Sequence, residues 1–255
     1  MTGISLQQGI IYGPIFSRRI GRSLGINLLP INEKLCSFDC IYCQYGRTNV
    51  HTIDPRPETF PSVDSVLSAI EYALKKPRTI NYLTFSGNGE PTLHPDFLEI
   101  VKGTRRLMEQ FRPDTKLALF SNSSLINKPL VISSLELIDL PMMKLDAGDE
   151  GTFQAINQPV RSVRFSEIVQ GLRTIPNLVI QSMLIDGCLN NIQGDNYKNW
   201  VRTIVELEPQ AVHIYSAERP PNYRSVKRVH PTRLIRIKKD LQTNYGLSVQ
   251  VYWRE

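Results

Sequence analysis

The amino-acid sequence predicts an α/β fold in which six parallel strands alternate with helices and curl into a partial (β/α)6 TIM-like barrel. Three observations support this prediction. Short apolar runs rich in β-branched residues recur along the chain, amphipathic segments separate them, and polar, glycine-containing sequences follow the ends of several runs. Such alternation is typical of parallel sheets built from βα units.

Six apolar runs are predicted to be strands. Most of them are continuous rather than alternating in polarity, which is typical of strands buried on both faces. The predicted strands are Leu24–Leu29, Tyr82–Ser86, Leu117–Ser121, Met142–Asp146, Leu178–Ile185 and Val212–Ser216.

The amphipathic segments between these runs are predicted to be helices. Ser62 is a typical capping residue for the first of them, and Pro95 suits the first turn of the second, where a missing N–H does no harm. The predicted helices are Ser62–Lys75, Pro95–Phe111, Lys128–Glu136, Asp149–Ile156, Phe165–Thr174 and Asp195–Leu207.

An open doubly wound sheet fits the same order of elements, but the polar segments after the strands favour the barrel. Barrel enzymes build their active sites from loops at the rim where the strands end. These segments are Gly87–Glu90, Ser121–Ser124, Asp146–Asp149 and Ser216–Arg219. We therefore expect a core over residues 1–220. Residues 221–255 would be a C-terminal extension of the same domain, with a helix (Pro231–Thr243) and a strand (Leu247–Trp253) appended to the barrel.

Composition places the chain among ordinary globular proteins. The 255 residues are 41% hydrophobic and 21% charged, and a chain of this length can bury a substantial core. No apolar stretch of about 18 residues occurs, and the first residues lack the pattern of a signal peptide. We expect a cytoplasmic protein without a membrane partner, in which the four cysteines serve as metal ligands or catalytic residues and not as disulfides.

Positive charge is unevenly distributed. The net charge is +6, and the segment from Arg219 to Lys239 contains basic residues but no acidic one. A second basic group, Arg18, Arg19 and Arg22, precedes the cysteines. Such patches attract RNA or a phosphorylated substrate. A solvated helix face explains them equally well.

Three cysteines follow the first predicted strand with the spacing C-x3-C-x2-C: Cys36, Cys40 and Cys43. Three such thiolates can bind three irons of a [4Fe–4S] cluster and leave one iron open for a cofactor or substrate, whereas electron carriers close the cluster with four cysteines. The alternative is a structural zinc site with His51 or Cys188 as the fourth ligand, although zinc sites usually pair their ligands in two halves. We expect the cluster, and we expect Cys188 to be a small buried residue near a strand end.

A second motif, Ser86–Pro91, ends the second predicted strand with the sequence S-G-N-G-E-P. Its glycines let the backbone approach a ligand closely, and the carboxylate of Glu90 can accept a charge-assisted hydrogen bond from an ammonium group. Alone, the pattern indicates only a strand-to-helix turn. On the same rim as the cysteines, it strongly indicates a ligand site.

Together, Cys36–Cys43 and Asn88–Pro91 resemble the motifs of the radical S-adenosylmethionine (SAM) enzymes, and the resemblance extends from about Leu24 to Arg219. It implies a partial (β/α)6 barrel, a [4Fe–4S] cluster on three cysteines and SAM bound at the open iron. It also implies cleavage of SAM to a 5′-deoxyadenosyl radical that abstracts hydrogen from a substrate. A one-electron reductant such as flavodoxin or ferredoxin would be a partner.

The resemblance implies roles for single residues. Gly89 and Glu90, with Asn88 beside them, would hold the amino group of SAM, and Tyr42 would lie near its adenine. Asn88 stands where many members have glycine. Asparagine also tolerates the left-handed conformation, so the departure is a minor one.

Residues after later strands have weaker assignments. Ser121 and Asn122 would lie near the SAM carboxylate, and Asp146 would contact the ribose or a cation. A cap or turn role explains each of these three equally well. Lys144 lies on the same side of its strand as Asp146 and Arg219 follows the last strand, so both are candidates for substrate contact. Salt bridges around the rim are the alternative for these two.

The segment Gly13–Asn27 looks like that of a subfamily related to the wybutosine-synthesis enzymes, which act on a guanosine in transfer RNA. Two departures argue against the same reaction: no cysteine for a second cluster precedes Cys36, and no lysine that could capture pyruvate precedes Lys34. We expect a single-cluster enzyme of unknown substrate. A zinc- or iron–sulfur-containing protein that binds nucleic acid or transfers electrons without SAM chemistry is the alternative.

Overall fold

The fold is built on one curled, mostly parallel sheet, which the computed structural model describes within residues 4–217 and 226–253. The strands are β1 (Ile11–Ser17), β2 (Gly21–Ile26), β3 (Leu35–Cys36), β4 (Val50–His51), β5 (Tyr82–Phe85), β6 (Lys116–Ser121), β7 (Leu140–Lys144), β8 (Val179–Gly187), β9 (Ala211–Ser216), β10 (Val226–Arg228) and β11 (Val249–Tyr252). The helices are α1 (Val63–Lys75), α2 (Phe97–Phe111), α3 (Pro129–Leu135), α4 (Glu150–Asn157), α5 (Phe165–Leu172), α6 (Gly194–Leu207) and α7 (Pro231–Tyr245).

The strand order of the main sheet is β1-β2-β5-β6-β7-β8-β9-β11. All neighbours from β2 to β11 pair in parallel, whereas β1 pairs antiparallel with β2. The six predicted strands correspond to β2 and to β5 through β9, so the partial barrel is confirmed. Because β1 and β11 lie at opposite ends of the strand order, the barrel is open.

The C-terminal segment extends the sheet by one strand. β11 pairs in parallel with β9, with Val249 opposite Val212, and α7 precedes it, so the two add a further βα unit. β10 pairs antiparallel with β8.

Pro95 does not begin the second predicted helix. α2 starts at Phe97, after Asp96 in the N-cap position.

Two groups of buried side chains hold the helices against the outside of the sheet. One lies between β2, β5, β6 and the helices α1 and α2, where the rings of Phe85 and Phe97 meet edge-to-face with centroids 5.5 Å apart. The other lies under α4 to α7 and includes Trp200, which is fully buried. Its indole N–H donates to Leu145 O at 3.1 Å, so α6 is fixed to the segment that follows β7. None of the helices in the described ranges is long and apolar enough to cross a membrane.

Gly148 is expected to be essential for this packing. A Cβ atom there would lie 2.0 Å from the carbonyl carbon of Asn199 and 2.1 Å from Trp200 N, which are backbone atoms of α6. We expect Gly148→Ala to lower the free energy of unfolding by about 3 kcal/mol or more, since the helix must move. Chemical denaturation would measure this. Gly151→Ala, whose nearest neighbour is 3.4 Å away, is the control, and equal stability of the two variants would contradict the packing.

Candidate active site

The cysteine loop follows β2 and is clamped between two other parts of the barrel. On one side, Leu35 forms a parallel bridge with Gly89 after β5. On the other, Asp39 N donates to Gln158 O and Ile41 N donates to Ile156 O, both at 3.0 Å, at the end of α4. The backbone of the loop is therefore positioned by contacts with segments that lie far away in the sequence.

The three clustered cysteines are free thiols in this loop, and Cys43 N donates to Cys40 O at 3.0 Å. Burial raises the pKa of Cys36 to about 12, against the opposing charge of Lys34. Burial also raises the pKa of Cys40, against the charge of Lys144. Metal binding must replace the thiol protons, and both ammonium groups favour the thiolate form that binds metal.

Lys34 is a buried ammonium beside the cysteines, only 2% exposed, and its Nζ donates to Gly46 O at 2.8 Å. Burial alone would lower the pKa of Lys34, but the charges of Cys43, Cys36 and Cys40 outweigh it and raise the pKa. One positive charge thus interacts with all three sulfur atoms. The sequence analysis assigned no role to Lys34, although a lysine two residues before a cysteine motif is a usable signal.

Two asparagine amides point at the same sulfur atoms. Asn122 Nδ2 lies 3.5 Å from Cys36 Sγ, and Asn157 Nδ2 lies 3.5 Å from Cys40 Sγ. Asn157 Nδ2 also lies 2.7 Å from Asp146 Oδ2 and 3.1 Å from Tyr42 Oη, so its two N–H groups are shared among three acceptors. Asn157 was missed because it ends α4, 117 residues from Cys40, with no local motif around it.

Glu90 is the centre of a second buried group and is 1% exposed. Its Oε1 accepts from Ser121 Oγ at 2.9 Å and from Thr92 N and Oγ1 at 3.1 and 2.7 Å, while Oε2 accepts from Asn122 N at 2.6 Å. Burial raises the pKa of Glu90, although these donors act in the opposite direction. The predicted residues Glu90, Ser121 and Asn122 are therefore brought together, and Oε2 keeps one of its two acceptor positions.

Gly89 and Asn88 serve the turn in different ways. A Cβ atom on Gly89 would lie 1.7 Å from Leu35 O, so glycine is required by the close approach of two backbones. The left-handed residue of the turn is Gly87, with φ of 139°, and the explanation of Asn88 by left-handed backbone is wrong. The Asn88 side chain is fully buried, accepts from Gln7 N at 2.7 Å and donates to Pro30 O at 2.7 Å.

Tyr42, Lys144 and Asp146 form a third group that touches the cysteine loop. Tyr42 Oη donates to Asp146 Oδ2, Lys144 Nζ lies 3.5 Å from the same oxygen, and Asp146 Oδ1 accepts from Met183 N at 2.7 Å. Lys144 therefore forms a salt bridge at the rim, which the sequence analysis gave as the alternative to substrate contact. Burial would lower the pKa of Lys144, but the charge of Asp146 outweighs this effect and raises the pKa above its usual value, which favours the ammonium form.

The remaining candidates lie elsewhere. Cys188 is exposed, so its expected burial is wrong: β8 ends at Gly187 and Cys188 is the first residue after it. His51 Nε2 lies 3.1 Å from Ser37 O. Within the ranges that the structure describes, no three His, Cys, Asp or Glu side chains converge on a single-metal position. Arg219 falls outside the described residues.

A cavity of about 690 Å³ extends from this rim into the barrel. Tyr42, Cys43 and Lys144 line it near the cysteine loop, and Met183 and Tyr215 line it on β8 and β9. Its volume lies in the range of sites for small molecules and cofactors. The cysteine loop and the barrel interior thus belong to one site.

The family model described as "Radical SAM superfamily" matches residues 34–192, which is more than half of the chain and includes the cysteine loop, Glu90, Asn122, Asp146 and Asn157. The chain belongs to the radical SAM superfamily. Members of this superfamily are enzymes that use a [4Fe–4S] cluster and SAM, and this chain is an enzyme of that class.

Two curated relatives and one solved structure extend this comparison. A UPF0026 protein of Helicobacter pylori is 32% identical over 86% of the chain and 69% of its own length. A protein of Brachyspira hyodysenteriae named GTPase Obg is 29% identical over 98% of the chain, which spans only 36% of that relative. The structure of TYW1 with a lysine–pyruvate adduct bound has a TM-score of 0.59 at 16% identity, covering 88% of this chain and 74% of TYW1. The likeness to TYW1 is one of fold.

The residues of the site fit the two cofactors of radical SAM enzymes. Three thiols, the ammonium of Lys34 and the amide donors of Asn122 and Asn157 are suited to an anionic iron–sulfur cluster, whose properties depend on charge and hydrogen bonds to sulfur. Asn157 Oδ1 is a buried acceptor without a donor among the described residues. Buried acceptors are rarely left unpaired, so this oxygen fits a bound molecule that offers an N–H or O–H group.

Proposed function

We propose that this chain abstracts a hydrogen atom from a substrate held in the barrel cavity beside the cysteine loop. The observation that carries the proposal is the placement of the cysteine loop. Asn122 joins Cys36 to Glu90, Asn157 joins Cys40 to Asp146, and Cys43 lines the cavity. When bound, a reduced [4Fe–4S] cluster and SAM supply a 5′-deoxyadenosyl radical as the abstracting species. The protein supplies the rest: it binds and orients SAM and the substrate, and it keeps water out of the site.

The cluster would be held by Cys36, Cys40 and Cys43. Three thiolates would hold three irons of the cluster and would leave one iron for a cofactor. Lys34 offsets the negative charge of this assembly from within the loop, and Asn157 links Cys40 to Asp146. The cluster and SAM portions of the site are therefore connected by one side chain.

SAM would be held by the groups after β5 and β6. Oε2 of Glu90 is suited to accept from its amino group, since this oxygen accepts one hydrogen bond within the protein whereas Oε1 accepts three. Ser121 and Asn122 keep the carboxylate of Glu90 in place through their hydrogen bonds. Gly89 and Asn88 would contribute backbone groups to the SAM site. We assign Tyr42 to the adenine and Asp146 to the ribose.

Lys144 would act on the substrate side as a fixed positive charge. Because the charges around it raise its pKa, it remains an ammonium group and is unsuited to accept a proton. Arg219 is proposed for the same side. The rings of Tyr42 and Tyr215 line the cavity and would keep water away from a reactive radical.

A cytoplasmic one-electron donor such as flavodoxin or ferredoxin would reduce the cluster. The basic residues of the chain favour RNA or a phosphorylated metabolite as the substrate. The chain covers about a third of one relative and about two thirds of the other, so the substrate and partners of a longer relative do not define those of this chain.

Formation of 5′-deoxyadenosine tests the proposal. Protein loaded with iron and sulfide under anaerobic conditions is mixed with dithionite and SAM, and the products are separated chromatographically. We expect 5′-deoxyadenosine to form only when protein, reductant and SAM are all present. Cluster-loaded protein that leaves SAM intact would refute the proposed function.

Asn157→Leu should lower the reduction potential of the cluster. A hydrogen bond to a ligand sulfur stabilises the more negative, reduced form, and Asn157 Nδ2 provides one to Cys40. We expect a decrease of some tens of millivolts, since a tenfold change in a one-electron equilibrium corresponds to about 59 mV. Redox titration followed by electron paramagnetic resonance measures it. Asn127→Leu removes an amide that donates to Glu167 O and is the control; an identical shift in both variants would contradict the assignment.

A further inference from the structure

Arg19 lies inside the barrel although it belongs to the turn between β1 and β2. Its Nη1 donates to Gln181 Oε1 on β8 at 2.7 Å, and Gln181 Nε2 donates in turn to Met142 O at 3.0 Å. The guanidinium carbon is 4.6 Å from the ring centroid of Phe120 and 4.9 Å from that of Tyr215. Contacts with three different strands therefore hold the side chain in one position within the cavity.

The charge of Arg19 has no carboxylate partner among the residues that the structure describes, where Gln181 is the one acceptor for its guanidinium. Lys144, in contrast, pairs with Asp146 at 3.5 Å. Burial, and to a smaller extent the charge of Arg19, lower the pKa of His213 to about 4. The positive charge of Arg19 therefore acts on a group inside the barrel. A half-buried cation without an anion is costly, and an anionic ligand would remove that cost.

The cavity around Arg19 has the chemistry of an anion site. Its described lining residues include the basic residues Arg19 and Lys144 and no acidic one. Lys144 is already paired with Asp146, so Arg19 is the charge that a bound anion would meet. A cleft with one sign of charge concentrates ions of the opposite sign. The same cavity is lined by Tyr42 and Cys43, so an anion bound at Arg19 would belong to a molecule that extends toward the cysteine loop.

We propose that Arg19 binds an oxyanion group, a phosphate or a carboxylate, of the substrate and thereby helps to determine substrate specificity. A guanidinium presents its N–H donors as a planar fork that matches two oxygens of such a group, and among the described residues Gln181 Oε1 is the one acceptor for the Arg19 fork. The inference rests on the proposed function only in assuming that the substrate occupies the cavity beside the cluster. It narrows the substrate class to molecules that carry an oxyanion.

Binding of simple probes tests this inference before the substrate is identified. Phenyl phosphate, benzoate and neutral benzyl alcohol are titrated calorimetrically into cluster-loaded protein with saturating SAM and without reductant. We expect at least one of the two anions to bind about tenfold or more tightly than benzyl alcohol, as a charge-assisted hydrogen bond would give. The anion that binds more tightly distinguishes phosphate from carboxylate.

Variants of two arginines on the same hairpin decide the origin of this preference. Arg19→Met should remove it, Arg19→Lys should retain part of it because the charge remains but the fork is lost, and Arg22→Met should leave it unchanged, since Arg22 is exposed. If Arg19→Met does not fold, Arg19→Lys still tests the contact with the planar guanidinium, through the ratio of its affinity for the anionic probe to its affinity for benzyl alcohol. An anion preference that is absent from the wild type, or undiminished in both Arg19 variants, would overturn the inference.

The probe titration is repeated without SAM to keep the two proposals separate. Failure to form 5′-deoxyadenosine would count against the proposed function. Failure of the probes to distinguish wild type from the Arg19 variants would count against the anion site alone.

Discussion

Replacing Cys40 by alanine is expected to abolish cluster binding and SAM cleavage together. The thiol lies beside Cys43 and accepts from Asn157 Nδ2 at 3.5 Å, and a cluster that loses one of only three protein ligands is not held. We expect iron to fall from about four atoms per chain to a trace, and 5′-deoxyadenosine to fall to the level without protein. Iron analysis and product chromatography measure both quantities.

Cys188→Ala is the matched control for this loss. Cys188 is a free cysteine as well, but it is exposed beyond β8 and away from the loop. We expect this variant to keep its iron and its activity. The fold of Cys40→Ala should persist, because the backbone on both sides of residue 40 is bonded to the end of α4. SAM cleavage by Cys40→Ala at the wild-type rate would show that these cysteines do not hold the reactive cluster.

Gly89→Ala is expected to disrupt the fold and the site at once. The new Cβ would lie 1.7 Å from Leu35 O and 2.7 Å from Leu35 C, and backbone atoms cannot be avoided by a rotamer change. Either the bridge between Leu35 and Gly89 opens or the turn moves, and both displace Cys36 and Glu90. We expect the free energy of unfolding to fall by about 3 kcal/mol or more, with loss of iron.

Denaturation and iron analysis of Gly89→Ala are best compared with Gly151→Ala. Gly151 lies in α4, where the added methyl group meets only ordinary contacts and alanine favours the helix by about 1 kcal/mol. The comparison separates a general effect of losing glycine from the close approach at Leu35. Wild-type iron content and SAM affinity in Gly89→Ala would mean that the two backbones do not need to lie so close.

The central strands were predictable because their environment is uniform. Strands such as β6 and β8 are covered on both faces, and this gives continuous apolar runs in the sequence. β1 was not predicted, since Gly13 and Pro14 interrupt its apolar pattern and edge strands tolerate such residues. β10 has three residues, and its pairing with β8 depends on a partner that is distant in the sequence.

The residues of the candidate site also differ in how far the local sequence predicts them. Cys36, Cys40 and Cys43 were predictable because their spacing is a local property of the chain. Asn157 and Arg19 were not, since their partners lie 117 and 162 residues away. The sequence suggested that Arg19 and Arg22 share one basic patch, but the β1–β2 hairpin turns Arg19 into the barrel and leaves Arg22 exposed. Tertiary contacts, not residue type, decide this difference.

The response of the reduced cluster to SAM is the most direct test of the account. Electron paramagnetic resonance spectra of the anaerobically loaded and reduced protein are recorded with and without SAM, and iron and zinc are measured in the same sample. We expect about four irons per chain and a clear change of the spectrum when SAM is added, because SAM binds the iron that no cysteine holds. A colourless protein with one zinc, or a cluster whose spectrum is the same with and without SAM, would contradict it.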